Sequence, residues 1–292
     1  MKTPILKNLL KVTITLSIVW ACTEEIDINL RSTYIRLVVF GEITTDTMAH
    51  SILLTKTMDY FEPRQPEGIS NAVVTLRWNE RSLILTECDT IKGKYLTPPD
   101  FFGMENTEYT LIIGHVDINN DGVFETYTAK SFIKPIIPID SITFGRFKLP
   151  PPMDTFKVYT INLFAQDPPS EDFYLYRWRR NDTLMTDSLH RWGITDDMGI
   201  NGTYINNLPV FNFGDDNIRY MPQYGDTITL ELSTITKEFF WFLYEANQAR
   251  GFQTPVTGTI PGNPHGNISN GAMGFFATYG TFRKSCIYRE DS

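Results

Sequence analysis

The chain has 292 residues, 26 basic against 34 acidic, and a formal net charge of −8. That balance excludes nucleic-acid binding through phosphate neutralisation. With 42% hydrophobic and 13% aromatic residues, a disordered chain is excluded as well, because there is enough apolar surface for a large core.

Residues 1–21 read as a secretory signal peptide. Lys2, Lys7 and Lys11 make the segment basic, no acidic residue offsets them, and the apolar run "VTITLSIVW" is too short to span a bilayer. Ala21 is a small residue placed before Cys22, and Thr23-Glu24-Glu25 follow. Without the leader the balance becomes 23 basic against 34 acidic, near −11. Residues 22–33 are then a tether. Cys88 and Cys286 are the remaining thiols, too few and too far apart for a disulfide framework.

Residues 34–135 read as a first β-sandwich. "YIRLVVFGEI", "HSILLTKT", "NAVVTLRW", "RSLILTEC", "YTLIIGHV" and "TYTAKSFI" are short, β-branched or aromatic, and separated by turn residues. Between the last two lies "DINNDGVFE". Asn-Asp-Gly there is a strong hairpin turn. The same stretch offers a weak Ca²⁺ loop, with Asp117, Asn119 and Asp121 at alternate positions, the Val123 carbonyl, and Glu125 as a further ligand. The flanking strands, and Thr128 at the twelfth position, depart from an EF-hand.

"KPIIPIDSI" (134–142) reads as a stiff, proline-bearing linker into a second sandwich over 136–292. In "FYLYRWRR", Phe173, Leu175 and Arg177 point one way and Tyr174, Tyr176 and Trp178 the other, as a central strand requires. A helix is predicted over 236–250, with Thr236 as N-cap, an apolar stripe of Phe239, Leu243 and Ala246, and Arg250-Gly251 as stop signal. In the final run "NISNGAMGFFATYG", Gly274 and Gly280 mark places where another element crosses closely. The fold class is therefore mainly β: two tandem immunoglobulin-like sandwiches, the second with one helix.

Catalytic signatures do not emerge. "NISNG" lacks the first glycine of a nucleophile elbow. His50, His115, His190 and His265 have no paired-ligand spacing. Asp187 and His190 form a spacing common in loops. "TDD" (195–197) and "GDD" (214–216) read as solvated acidic loops. The segment 190–224 carries Trp192, Tyr204, Phe211, Phe213, Tyr220 and Tyr224 among Gly, Asn and Asp. It reads either as a loop that stacks on a sugar or peptide, or as a long hairpin covering the sandwich edge. Asp-Ser/Thr-apolar triplets place candidate O-glycans on Thr47, Thr90, Ser141, Thr183 and Ser188. Asp154-Thr155-Phe156 is a looser match, and Asp226-Thr227-Ile228 is better explained as a turn before a strand.

Cys22 with its small-residue approach resembles the lipobox of bacterial lipoproteins, with Trp20 as a bulky departure. The resemblance implies acylation at Cys22, and several acyl chains anchor at about 0.8 kcal/mol per buried methylene. Glu24 and Glu25 resemble the acidic export signal of Bacteroidota surface lipoproteins. With "LVVFGEITTD", "NAVVTL", "GKYLTP", "GDTITLEL" and "NISNGAMGFFATYG", the chain resembles the Bacteroidota outer-membrane lipoprotein family catalogued as domain of unknown function 4249. The pattern "VVFGEI", "SNAVVTL", "GKY", "EYTLII" is similar to transthyretin-like domains. The resemblance implies an outer-membrane setting, facing outward, beside a TonB-dependent transporter, and it carries no catalytic residues. The expectation is a non-enzymatic protein for nutrient capture or docking, the alternative an adhesin or envelope scaffold.

Overall fold

Period-two burial runs through most of the chain. In Thr107–Val116 and Glu125–Ile133 nearly every second residue is buried and its neighbours face out, as strands packed on one side demand. The computed structural model describes residues 35–58, 65–147, 150–153, 158–214, 221–250 and 263–289. The strands are β1 (Leu37–Thr44), β2 (Ser51–Lys56), β3 (Val73–Trp78), β4 (Arg81–Ile84), β5 (Thr86–Glu87), β6 (Lys94–Leu96), β7 (Thr107–Val116), β8 (Glu125–Ile133), β9 (Ser141–Phe147), β10 (Val158–Gln166), β11 (Phe173–Arg180), β12 (Thr183–Leu184), β13 (Gly193–Asp196), β14 (Tyr204–Gly214), β15 (Thr227–Ile235) and β16 (Met273–Ile287). One helix, α1 (Lys237–Arg250), precedes β16. The mainly β, sandwich-like class read from the sequence is the observed one.

A long sheet runs β12-β11-β15-β16-β1-β2-β6-β5, with β13 also on β11. Two smaller sheets cover one face of it. The four-stranded sheet β4-β3-β7-β8 encloses a first core with β1, β2 and β6, built on Val39, Ile52, Tyr95, Leu76, Tyr109 and Leu111. The three-stranded sheet β14-β10-β9 encloses a second core with β11 and β15, built on Phe144, Ile161, Leu163, Tyr176, Trp178 and Leu230. Helix α1 lies on the opposite face of the long sheet. Its Phe239, Phe240, Phe242 and Leu243 are buried against Phe173, Leu175, Phe275 and Tyr279. Thr236 caps it, its Oγ1 accepting the Phe239 N–H at 3.3 Å.

The first core is drawn chiefly from before the 135/136 boundary and the second from after it, but Ile268 and Phe276 belong to the first core and a strand pairing crosses the boundary. β16 pairs in parallel with β1 (Val38 opposite Met273 through Thr44 opposite Tyr279). It also pairs antiparallel with β15 (Thr234 opposite Gly280 through Thr227 opposite Ile287). Residues 35–292 accordingly cluster as one unit. The two expected crossings are found on this strand. A Cβ on Gly274, which has φ +91°, would stand 2.0 Å from the Val39 carbonyl oxygen. One on Gly280 would stand 2.3 Å from Ile136 of the linker.

Candidate functional site

The helix-side face of the long sheet carries a charged cluster that ties β11, β15, β16 and β1 together. Alternation sends Arg177, on the same face as Phe173 and Leu175, toward this side. Register places it opposite Glu231, and Glu231 in turn stands opposite Arg283. One carboxylate thus sits between two guanidinium groups on a single cross-strand rung, an arrangement that stabilises paired strands. Glu231 Oε1 accepts from Arg179 Nε at 2.6 Å and from Arg283 Nε at 2.9 Å. Its Oε2 lies 3.2 Å from Arg177 Nε. That N–H is not aimed at the oxygen, so both atoms are buried without a hydrogen bond although their charges are adjacent. The Glu231 side chain is 1% exposed. Burial pushes its carboxyl up, but the Arg177 charge and the bonds from Arg179 and Arg283 outweigh this and hold it below the ordinary range.

The cluster extends in two directions. Arg283 Nη1 and Nη2 grip the two Asp46 oxygens at 2.6 Å each, a bidentate pair that lowers the Asp46 carboxyl against the opposing effect of burial. The Asp46 carbonyl accepts from His50 Nε2 at 3.0 Å, while His50 Nδ1 accepts the Thr44 N–H at 3.4 Å. These contacts fix the neutral Nε2–H tautomer, and desolvation lowers the imidazole pKa. On the other side the Arg177 guanidinium lies 5.4 Å from the Trp192 ring centroid and 5.8 Å from that of Tyr279. Tyr279 donates to Glu42 Oε1 at 2.8 Å. Glu42 is the exception among the acids. Desolvation raises its carboxyl despite the Arg177 charge and the Tyr279 bond.

This arrangement locks carboxylates in place. Glu231 and Asp46 are held toward the ionised form by the guanidinium groups beside them, which suits a tie and not proton transfer. In Glu42 and Tyr279, by contrast, burial favours the protonated form of each group. The sequence reading missed the cluster. The available signal was Glu231 between Leu230 and Leu232 in "TITLELST": a charge whose strand neighbours are both core residues must face a second covered surface.

Of the six aromatics of segment 190–224, the five among the described residues are spread over different surroundings. The segment is structured as β13 and β14 over much of its length. Trp192 packs on the helix side of the long sheet, its Nε1 donating to the Thr186 carbonyl at 3.1 Å. Phe213 is buried in the second core and Phe211 packs against it. Tyr204 is exposed at the other end of β14. Tyr224 stacks at 4.8 Å on Tyr288, and Tyr220 lies outside the described residues.

In the turn after β7, Asp117 accepts the N–H groups of Asp121 at 3.1 Å and Gly122 at 2.9 Å. Asp121 accepts the Val123 N–H at 2.8 Å and the Asn119 side-chain amide at 2.9 Å. Glu125 accepts the Ile118 N–H at 3.3 Å. The carboxylates thus close the turn, and no group of three or more metal-ligating side chains occurs among the described residues.

Asp187 pairs with Arg191 at 2.8 Å. Asp197 of "TDD" is buried, contrary to the surface reading, because it accepts the Asp172 N–H at 2.8 Å. Thr47, Thr90, Ser141 and Thr183 are exposed and Ser188 is partly so. Cys88 and Cys286 are free thiols. Cys22, Glu24 and Glu25 lie outside the described residues, as does the Asp154-Thr155-Phe156 triplet.

The model of the family described as Domain of unknown function (DUF4249) matches residues 23–285, and the chain belongs to that family. No curated protein matches it.

Proposed function

We propose that this DUF4249 member is a non-enzymatic outer-membrane lipoprotein, anchored through Cys22 and facing outward. It works beside a TonB-dependent transporter, capturing a nutrient or docking on the transporter. The observation that carries this reading is the segment Lys2–Glu25: an apolar run after three lysines, a small residue before Cys22, and an acidic pair at Glu24 and Glu25. The guanidinium-bound carboxylates of the sheet-face cluster, Glu231 and Asp46, support the non-enzymatic part, since groups already bonded to guanidinium are poor proton shuttles. A transthyretin-like character for residues 34–135 and the Bacteroidota setting belong to the same reading.

The test replaces Cys22 by Ala, and separately Glu24 and Glu25 by Ala. The first variant is released from membranes. The second stays anchored but becomes inaccessible to protease added to whole cells; continued accessibility overturns surface export. Intact-mass measurement of the native protein reads acyl chains on Cys22 and glycans on the Asp-Ser/Thr sites together. Co-purification from outer membranes recovers a TonB-dependent receptor. Recovery of host matrix or surface fibres alone favours the adhesin or scaffold reading instead.

A further inference from the structure

β16 changes partner half-way along its length. Its first half pairs with β1, ending at Thr44 opposite Tyr279, and its second half pairs with β15 on the opposite edge, from Gly280 to Ile287. From Phe282 onward the edge that faced β1 has no strand on it among the described residues. Thr281 shows which groups point that way: its N–H donates to Thr45 Oγ1, just beyond β1, at 3.3 Å. Two-residue alternation therefore aims the N–H and C=O groups of Arg283, Ser285 and Ile287 at the same open side. Facing them is β9, itself an edge strand, bonded to β10 alone.

Between the two open edges is a cleft of about 490 Å³. Phe144, Phe147, Cys286 and Ile287 give it apolar walls, and Thr143, Asn162 and Arg146 give it polar ones. Phe147 and Ile287 are 48% and 53% exposed. A strand residue occupies roughly 3.3 Å by 4.8 Å by 10 Å, about 160 Å³, so the cleft holds about three residues of extended chain.

We propose that this slot binds an extended, acidic peptide segment of a partner protein, which adds as a strand to residues 282–287 of β16. Charge selects the occupant. The strands flanking the slot carry Arg146 and Lys284, both exposed and without an ion pair among the described residues, on a chain whose net charge is −8. Each lies on the core-facing side of its strand, by alternation with Phe144 and with Phe282 and Cys286. Acidic side chains at alternate positions of the guest meet them, and the intervening apolar side chains meet Ile287 on the other face. The site stands whether or not the chain is lipid-anchored, so it is tested without membranes.

The probe is a fluorescent eight-residue peptide alternating Glu and Val, compared with its Lys–Val counterpart on the full chain in detergent. The Glu–Val peptide binds with at least about tenfold preference. Hydrogen exchange slows at residues 283–287 when it is added. Lys284→Glu reverses the preference. Ser285→Pro removes one edge N–H and, on the β15 side, only the hydroxyl contact with Thr229 Oγ1 at 2.8 Å; it weakens binding about tenfold, with melting curves confirming that both variants fold. Equal affinity for the two peptides, or no change in exchange of wild-type residues 283–287 at millimolar peptide, overturns the proposal. So does a Lys284→Glu variant that self-associates but leaves peptide preference unchanged, since Lys284 would then only guard the edge against aggregation.

Discussion

Replacing Glu231 by Gln tests whether the sheet-face cluster holds the molecule together. The change keeps the shape and removes the charge. The amide oxygen can still accept from Arg179 and Arg283, which now meet a neutral acceptor where a charged one stood at 2.6 Å and 2.9 Å, and Arg177 loses the carboxylate oxygen 3.2 Å away. Removing one partner of a buried ion pair costs about 3–5 kcal/mol, because the remaining charge is left uncompensated. Arg179 and Arg283 are each 34% exposed, so water and Asp46 take up part of their charge. Arg177 is only 14% exposed and bears most of the loss. The expected cost is therefore at the lower end, about 3 kcal/mol, or a fall in melting temperature of roughly 6–12 °C for a unit of this size. Thermal melting and urea titration measure it. A double-mutant cycle isolates the pair: Arg177→Met with Glu231→Leu should cost less than the two single changes together by about 1–3 kcal/mol. If Glu231→Gln lies within about 1 kcal/mol of the parent and the cycle shows no coupling, the rung adds nothing to stability and the reasoning fails.

Glu42 gives a test of opposite sign. Its carboxyl is raised by burial above the ordinary 4.5, so between the two pKa values the folded state binds more protons than the unfolded chain. Its contribution is full below pH 4.5 and is lost as pH rises through the folded pKa. Glu42→Gln, which can still accept from Tyr279, should therefore gain stability relative to the parent as pH rises and match it in acid; a gain confined to acid contradicts the assignment. In the turn after β7, Asp117→Ala leaves the Gly122 N–H without its acceptor and the Asp121 N–H with Asn119 Oδ1 alone. We expect a loss of about 1 kcal/mol, equal in chelator and in millimolar calcium. A calorimetric calcium heat in the parent, absent from Asp121→Ala, would instead establish the loop as an ion site.

The legible parts of this fold are those encoded locally. Alternation in "YTLIIGHV" and "TYTAKSFI" foretold β7 and β8, Thr236 foretold the helix start, and Gly274 and Gly280 foretold close crossings. Each depends on neighbours within a few residues. The charged rung does not. Arg177, Glu231 and Arg283 meet because three strands from distant parts of the chain adopt one register, and no local pattern states a register between non-adjacent strands. The aromatics of 190–224 allowed two readings, a loop or a hairpin, for a related reason. Read as a loop they converge on a ligand. With β14 paired along β10, Phe211 and Phe213 turn into the core and Tyr204 turns out to solvent.

The parallel pairing of β1 with β16 was equally hidden, and it explains both the strength and the opening of the architecture. β16 sends Phe276 into the first core, Phe275 and Tyr279 beneath the helix, and Phe282 and Cys286 toward the second core. One strand can serve three environments only if its backbone passes very close to its neighbours, which is why glycine stands at 274 and 280. At Gly280 the linker's Ile136 crosses the strand, β1 has already ended, and nothing replaces it along residues 282–287 among the described residues. The crossing that lets one sheet span both cores thus leaves an open edge beyond it. The proposed peptide slot follows from the fold's own closure, and filling it would continue the sheet where β1 stops.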